Sequence, residues 1–198
     1  MTPMGKRLAV RTTVCVLAVL VIFFVCTADA SSNEKTSPAE RLNNYRKRVS
    51  REFIKTKAQL EGAITLPSGL VIEQLVHGTG THAAALDDEC KLHYVGSLRD
   101  GTVFDSSRAR GAPATFRPNQ VISGWTEALQ LMREGDHWRI YVPYELGYGE
   151  RGAGRNIPPY AALAFDIELL SIEGGGKGRT AAEVGEVLKK AVDDKEDM

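Results

Sequence analysis

Leu163-Ala164-Phe165-Asp166-Ile167-Glu168-Leu169 puts a large apolar residue at every second position, with small or acidic residues between. A period of two marks a strand with one buried face and one wet face. Trp138-Arg139-Ile140-Tyr141-Val142 and Cys90-Lys91-Leu92-His93-Tyr94 repeat the pattern. Half-buried strands of this kind belong to antiparallel sheets. Arg99-Asp100-Gly101-Thr102, between Leu98 and Val103, is a tight-turn signal. Within this region one short helix fits, near Thr126 to Met132, with Leu129 and Met132 able to face a sheet. Strands dominate and a single helix crosses them, so the fold class is α+β.

Outward from this block the pattern changes. Upstream, Ser37-Pro38-Ala39-Glu40 combines an N-cap serine, a proline at the first helical position and a glutamate three residues after the cap. Leu42, Tyr45, Val49, Phe53 and Leu60 then form one narrow apolar stripe on a charged helix that the sequence carries as far as Leu66-Pro67-Ser68-Gly69. Such a stripe needs a covering surface: the protein's own body, a second copy or a client. Downstream, Gly174-Gly175-Gly176-Lys177-Gly178 predicts a flexible break, and Thr180-Ala181-Ala182-Glu183 opens a second capping box ahead of a short helix and an acidic tail.

At the start, Lys6, Arg7 and Arg11 precede the uncharged run Val14 to Cys26, which is followed by Ala28-Asp29-Ala30. A basic start, a short apolar run and an A-x-A site predict a secretory signal peptide over residues 1–30. The run is too short for an ordinary spanning helix; the alternative is an uncleaved anchor extended back to Leu8 through Arg11. Cleavage leaves no spanning segment, a net charge of −2 and Cys90 as the remaining cysteine. The layout read from the sequence is signal peptide 1–30, polar segment and helix 31–68, globular domain 69–173, and linker, helix and tail 174–198. The intact chain has 25 basic and 25 acidic residues, a balance that gives no field to recruit nucleic acid.

The familiar signatures of cofactor chemistry do not hold up. Gly147-Tyr148-Gly149-Glu150-Arg151-Gly152 matches a dinucleotide fingerprint in form, but Pro158-Pro159 follows where a helix would have to run. His77, His82, His93 and His137 share no metal-ligand spacing. Cys90 falls on the apolar face of a strand, as a core residue would. No metal or cofactor is expected. What remains is a set of aromatic residues interleaved with a few polar ones: Tyr94, Phe104, Phe116, Trp125, Tyr148 and Phe165, with Asp105 and Arg110. Filling the core of a small sheet is the competing explanation, and it is strongest for Phe165. Tyr148, flanked by glycines in a loop, is a poor choice for packing alone.

In order, the segments Leu92-His93-Tyr94-Val95-Gly96, Asp100 to Arg108, Val121-Ile122-Ser123-Gly124-Trp125, Tyr148-Gly149, and Ile157-Pro158-Pro159 with Leu163 to Leu169 resemble the FKBP-type peptidyl-prolyl isomerases. The likeness spans Gly69 to Glu173. A signal peptide, a helix and then one such domain is similar to the macrophage infectivity potentiator (Mip) proteins of intracellular pathogens, and a virulence role follows from that likeness alone.

The resemblance implies a twisted antiparallel sheet wrapped around one short helix, with the site between them. It implies that Trp125 forms the pocket floor and that Tyr94, Phe104, Phe116, Val121, Ile122, Ile157 and Phe165 are walls. Asp105 and Tyr148 would supply polar contacts and, with Tyr94 and Phe165, make up the catalytic group; Arg110 would hold Asp105, and the Ile122 N–H would be a further donor. The expected partners are proline-containing polypeptides, exported or host, and rapamycin-class macrolides, with self-association through the N-terminal helix. Pro113-Ala114 departs from members that carry a second aromatic there, which opens that side of the pocket, and the loop Glu150 to Asn156 also differs. Two other functions fit the same residues: a non-catalytic module that captures proline loops, and a secreted interaction protein acting through its N-terminal helix.

Overall fold

A computed structural model describes residues 37–196. The expected signal peptide lies outside the described residues. Seven strands follow in chain order: β1 (Ile64–Thr65), β2 (Val71–Val76), β3 (Cys90–Leu98), β4 (Val103–Ser106), β5 (Ala114–Phe116), β6 (His137–Val142) and β7 (Leu163–Ile172). They form one antiparallel sheet in the order β1-β2-β6-β7-β3-β4, with β5 also paired to β3. The longest seam joins β3 to β7, from Leu98 opposite Leu163 to Cys90 opposite Ile172. The turn between β3 and β4 closes through Leu98 N–H on the Thr102 carbonyl (2.9 Å), and Asp100 Oδ1 accepts from the Thr102 N–H (3.0 Å). The strand residues picked out by alternation, among them Leu92, Tyr94, Trp138, Ile140, Phe165 and Ile167, are buried in the main core.

Helix α1 spans Pro38–Ala58, α2 Ser123–Leu129 and α3 Ala181–Glu196. Each differs from its sequence expectation for a physical reason. α1 stops before Leu66 because Ile64 and Thr65 are taken into the sheet opposite Ile72 and Val71. Its stripe is only partly covered. Phe53, Ile54 and Ala58 pack on Ala63, Val71 and Tyr141 on the outer side of the sheet, whereas Leu42 and Tyr45 remain 47% and 49% exposed.

α2 begins three residues earlier than expected, so Trp125 sits inside it. A Cβ on Gly124 would stand 2.7 Å from Val142 Cγ1. The bare glycine lets the helix settle on β6, and that contact outweighs the poor helix propensity of the residue. α3 starts with the expected capping box: Thr180 Oγ1 accepts from the Glu183 N–H (3.3 Å) and Glu183 Oε2 accepts from the Thr180 N–H (2.8 Å). The helix runs on through Asp193 and Asp194, and Val184, Leu188 and Ala191 join the core. Lys195 Nζ then donates to the carbonyls of Ala58 (2.6 Å) and Ala63 (3.2 Å), tying α3 to the end of α1.

The glycine-rich segment before α3 is not a free break. Gly178 N–H donates to the Ala83 carbonyl (3.0 Å) and Lys177 N–H to Asp88 Oδ2 (2.9 Å). After the second glycine of Gly147-Tyr148-Gly149 the chain turns and pairs Ala153 with Ile157, with no helix following. Among the described residues no helix is long and apolar enough to cross a membrane.

Candidate functional site

The site is built where α2 meets the inner face of β3 and β7. Trp125, 4% exposed, takes three rings edge-on: Tyr94 (centroids 5.2 Å, 85°), Phe165 (5.2 Å, 84°) and Phe116 (5.7 Å, 89°). Phe104 packs edge-on against Phe165 at 5.7 Å. Edge-to-face geometry sets the positive rim of one ring against the negative face of another, so the walls are held by their own quadrupoles as well as by burial. Gly96, opposite Phe165 on β7, makes this possible: a Cβ there would lie 2.8 Å from Phe104 Cε2 and Cζ and from Phe165 Cε1. The Trp125 Nε1 donor is buried without a partner.

Above this floor is a cavity of about 380 Å³ lined by Tyr94, Phe104, Asp105, Phe116, Gln120, Val121, Ile122, Trp125, Tyr148 and Phe165. Nine of these were singled out in the sequence. Gln120 was not: an uncharged polar residue beside the Val121-Ile122 pair carries no signal of its own. Ile157 was expected as a wall and does not line the cavity; it is buried, paired with Ala153 across the following loop. Arg110 also lies off the lining, but it reaches the site through its partners.

Polar contacts converge on one edge. The Tyr94 hydroxyl donates to Asp105 Oδ2, Arg110 Nη1 donates to Asp105 Oδ1, and Arg110 Nη2 donates to the Tyr94 hydroxyl at 2.9 Å. The guanidinium also stands 5.6 Å from the centre of the Tyr94 ring. Burial alone would raise the Asp105 carboxyl, but the hydrogen bonds from Tyr94 and Arg110 outweigh it and hold the group below the ordinary aspartate range. The Tyr94 phenol is pushed up, first by burial and then by its bond to the carboxylate. Tyr148, 39% exposed, is also raised by burial and by the charge of Asp105, so it remains a protonated donor. The Ile122 carbonyl accepts from the Trp125 and Thr126 amides as α2 begins, and no described residue engages the Ile122 N–H.

The arrangement has an apolar floor, two donors at its rim and an aspartate whose two oxygens are both taken. The histidines are elsewhere: His93 on Ser107, His137 on Asp166 and His82 on Thr81. Cys90 is fully buried, and burial pushes its thiol up to about 12. No cluster of His, Cys, Asp and Glu among the described residues could hold a metal ion. Chemically, the cleft can bind, dehydrate and orient a small apolar ring with carbonyls on either side.

A family model described as FKBP-type peptidyl-prolyl cis-trans isomerase matches residues 80–170. The chain is 58% identical over 184 residues to the macrophage infectivity potentiator of Trypanosoma cruzi, covering 93% of this chain and 94% of that protein. It is 49% identical over 121 residues to the FKBP-type 22 kDa peptidyl-prolyl cis-trans isomerase of Escherichia coli K12, with 61% and 58% covered. Among solved structures, FkpA from Escherichia coli superposes with a TM-score of 0.64 at 30% identity, covering 89% of this chain and 76% of that one.

Proposed function

Because the chain belongs to the FKBP-type peptidyl-prolyl cis-trans isomerases, we propose that the cleft above Trp125 is the place where it turns X-Pro bonds, with Asp105, Tyr148, Tyr94 and Phe165 as the catalytic group. Rotation about a peptide bond is slow because resonance gives the C–N bond double-bond character, with a barrier of about 18–20 kcal/mol. Before proline both isomers are populated, and exchange takes tens to hundreds of seconds. No covalent bond breaks. The catalyst need only favour the twisted amide over the planar one.

The planar amide is the more dipolar species, and water stabilises its oxygen. The twisted transition state has lost that resonance. Moving the bond into a dry aromatic cleft therefore penalises the ground state more than the transition state. The pyrrolidine ring rests on the indole. Tyr148 and the Ile122 N–H hold the flanking carbonyls, so that one side of the bond stays fixed while the other turns. Arg110 and Tyr94 hold Asp105, which keeps a charge at the rim without exposing a free base.

The observation that carries this reading is the cage itself: three rings edge-on to one buried indole, beside a carboxylate with both oxygens engaged. Kinetics on a proline-containing tetrapeptide test it. Asp105→Ala and Tyr148→Phe should each lower kcat/KM by roughly tenfold, about 1.4 kcal/mol of differential binding, with the fold retained. Wild-type rates in both variants would refute these roles.

The remaining expectations belong to the same reading. Residues 1–30 are removed on export, and the clients are exported or host polypeptides; the 58% identical relative from Trypanosoma cruzi is named a macrophage infectivity potentiator. Rapamycin-class macrolides compete for the cleft, and Ala114, in place of a second aromatic, weakens their hold on that side. The exposed Leu42 and Tyr45 support self-association through α1.

A further inference from the structure

Tyr148 stands on a loop between two glycines, and nothing in its immediate sequence stiffens it. The stiffness comes from elsewhere. Tyr160 is the only non-glycine residue among those described with a positive φ, 60°. A bulky side chain disfavours that conformation, and it persists where the surroundings over-determine it. Here they do. The Tyr160 N–H donates to the Gly149 carbonyl (3.0 Å), and the Gly149 N–H donates to the Tyr144 carbonyl (2.8 Å). The Tyr144 and Tyr160 rings meet edge-on at 5.3 Å and 81°, and both are 7% exposed. The residue directly after Tyr148 is thus gripped on both sides by a pair of packed tyrosines.

The grip is closed from outside the sheet. Lys47, on α1, places its Nζ 4.6 Å from the centre of the Tyr160 ring and 3.7 Å from Glu150 Oε1. One turn further along α1, Arg51 presents its charge to the Tyr144 phenol, partly offsetting the rise that burial and Glu145 impose. An ammonium over a phenol ring is attracted by the ring quadrupole, and here that attraction falls on the strained residue of the loop.

We propose that Lys47 and Tyr160 are positioning residues: the N-terminal helix, through Lys47 on the Tyr160 ring, fixes the loop that aims the Tyr148 hydroxyl at the cleft. This rests on the isomerase reading of that cleft. The helix is then part of the catalytic apparatus, and anything that lifts α1 from Tyr160 lowers turnover without touching the cavity.

The test uses the full chain in four variants: Lys47→Ala, Lys47→Arg, Tyr148→Phe and the double variant Lys47→Ala/Tyr148→Phe. With a proline tetrapeptide, Lys47→Ala should lower kcat/KM roughly threefold to tenfold, chiefly in kcat. Lys47→Arg should recover most of that loss. In the Tyr148→Phe background Lys47→Ala should cost nothing more, because the hydroxyl it positions is gone. An equal loss in both backgrounds, or wild-type activity in Lys47→Ala, overturns the proposal. Amide hydrogen exchange gives a reading free of activity: the Tyr160 N–H should exchange faster in Lys47→Ala, and unchanged exchange overturns the proposal too. A wild-type chain without isomerase activity would sink the reading of the cleft, while the exchange measurement would still decide whether Lys47 holds the loop.

Discussion

Gly96→Ala adds one methyl group, and the structure states what that methyl meets. It would arrive 2.8 Å from Phe104 Cε2, Phe104 Cζ and Phe165 Cε1. Comfortable carbon–carbon contact is roughly 3.5–4.0 Å, so the rings must retreat by about 0.7–1.2 Å. Phe165 is braced by Trp125, whereas Phe104, half-buried on the cavity wall, can yield only by swinging into the cleft. Overpacking of this kind costs about 1–3 kcal/mol. Restricting the glycine in the unfolded chain returns about 0.4–1 kcal/mol, so overpacking wins in all but its mildest form. The net loss should lower Tm by a few degrees, at about 2–4 °C per kcal/mol for a chain of this size. Because both rings line the cleft, kcat/KM should fall with Tm. Gly185→Ala is the matched control: Gly185 is exposed inside α3 with nothing within 4 Å of the added Cβ, so it should raise stability by about 0.5–1 kcal/mol and leave activity alone. Differential scanning calorimetry and the peptide assay read both outcomes. Unchanged Tm and unchanged rate in Gly96→Ala would show that the rings tolerate displacement and that their packing does not set the cleft.

Two further outcomes follow from the electrostatics. The Asp105 carboxyl is held below the usual aspartate range and the Tyr148 phenol above the usual tyrosine range, so neither changes charge between about pH 5 and 9. The profile of kcat/KM should be flat across that window. The stability Asp105 contributes is present above its unfolded pKa and lost as pH falls through its lower folded value, so an acid limb, if reached, lies below about pH 4. A bend near pH 6.5 would mean that a histidine acts in the site. Cys90, buried and with its thiol pushed up to about 12, should resist a thiol reagent at pH 8 until denaturant opens the fold; rapid labelling of the native protein would contradict its place in the core.

What could be read from the sequence was whatever has a period or a chemical minority. Leu163 to Leu169 and Trp138 to Val142 alternate because their two faces meet different solvents, and alternation survives without knowledge of the partner strand. Tyr148 stood out because an aromatic ring between glycines has no packing excuse. The elements that were misread depend on contacts far along the chain. α1 ends early because Ile64 pairs with Ile72. α2 starts early because Gly124 lies against Val142. Gly176 and Gly178 are needed for proximity, since Cβ atoms there would each stand 2.8 Å from the Ala83 carbonyl oxygen, whereas Gly174 and Gly175 have open space around them and serve through their positive φ. Composition alone cannot tell a backbone that must be close from one that must be free.

The same distinction separates the two layers of the site. Its floor and most of its walls are rings at strand and helix positions packed into or against the main core, and substitution there should register as lost stability as well as lost rate. Its donors are held differently. Asp105 is kept in place by Tyr94 and Arg110, and Tyr148 stands on a loop whose shape is imposed by Tyr144, Tyr160 and a lysine from outside the sheet. A reaction that breaks no covalent bond asks for little from its donors beyond constancy of position, since each tenfold in rate is only about 1.4 kcal/mol. A loop with two glycines can supply that constancy only if it is braced. Under the proposed bracing, the strained Tyr160, absent from the cavity lining and silent in the sequence, serves the reaction as a positioning residue through the loop that carries Tyr148.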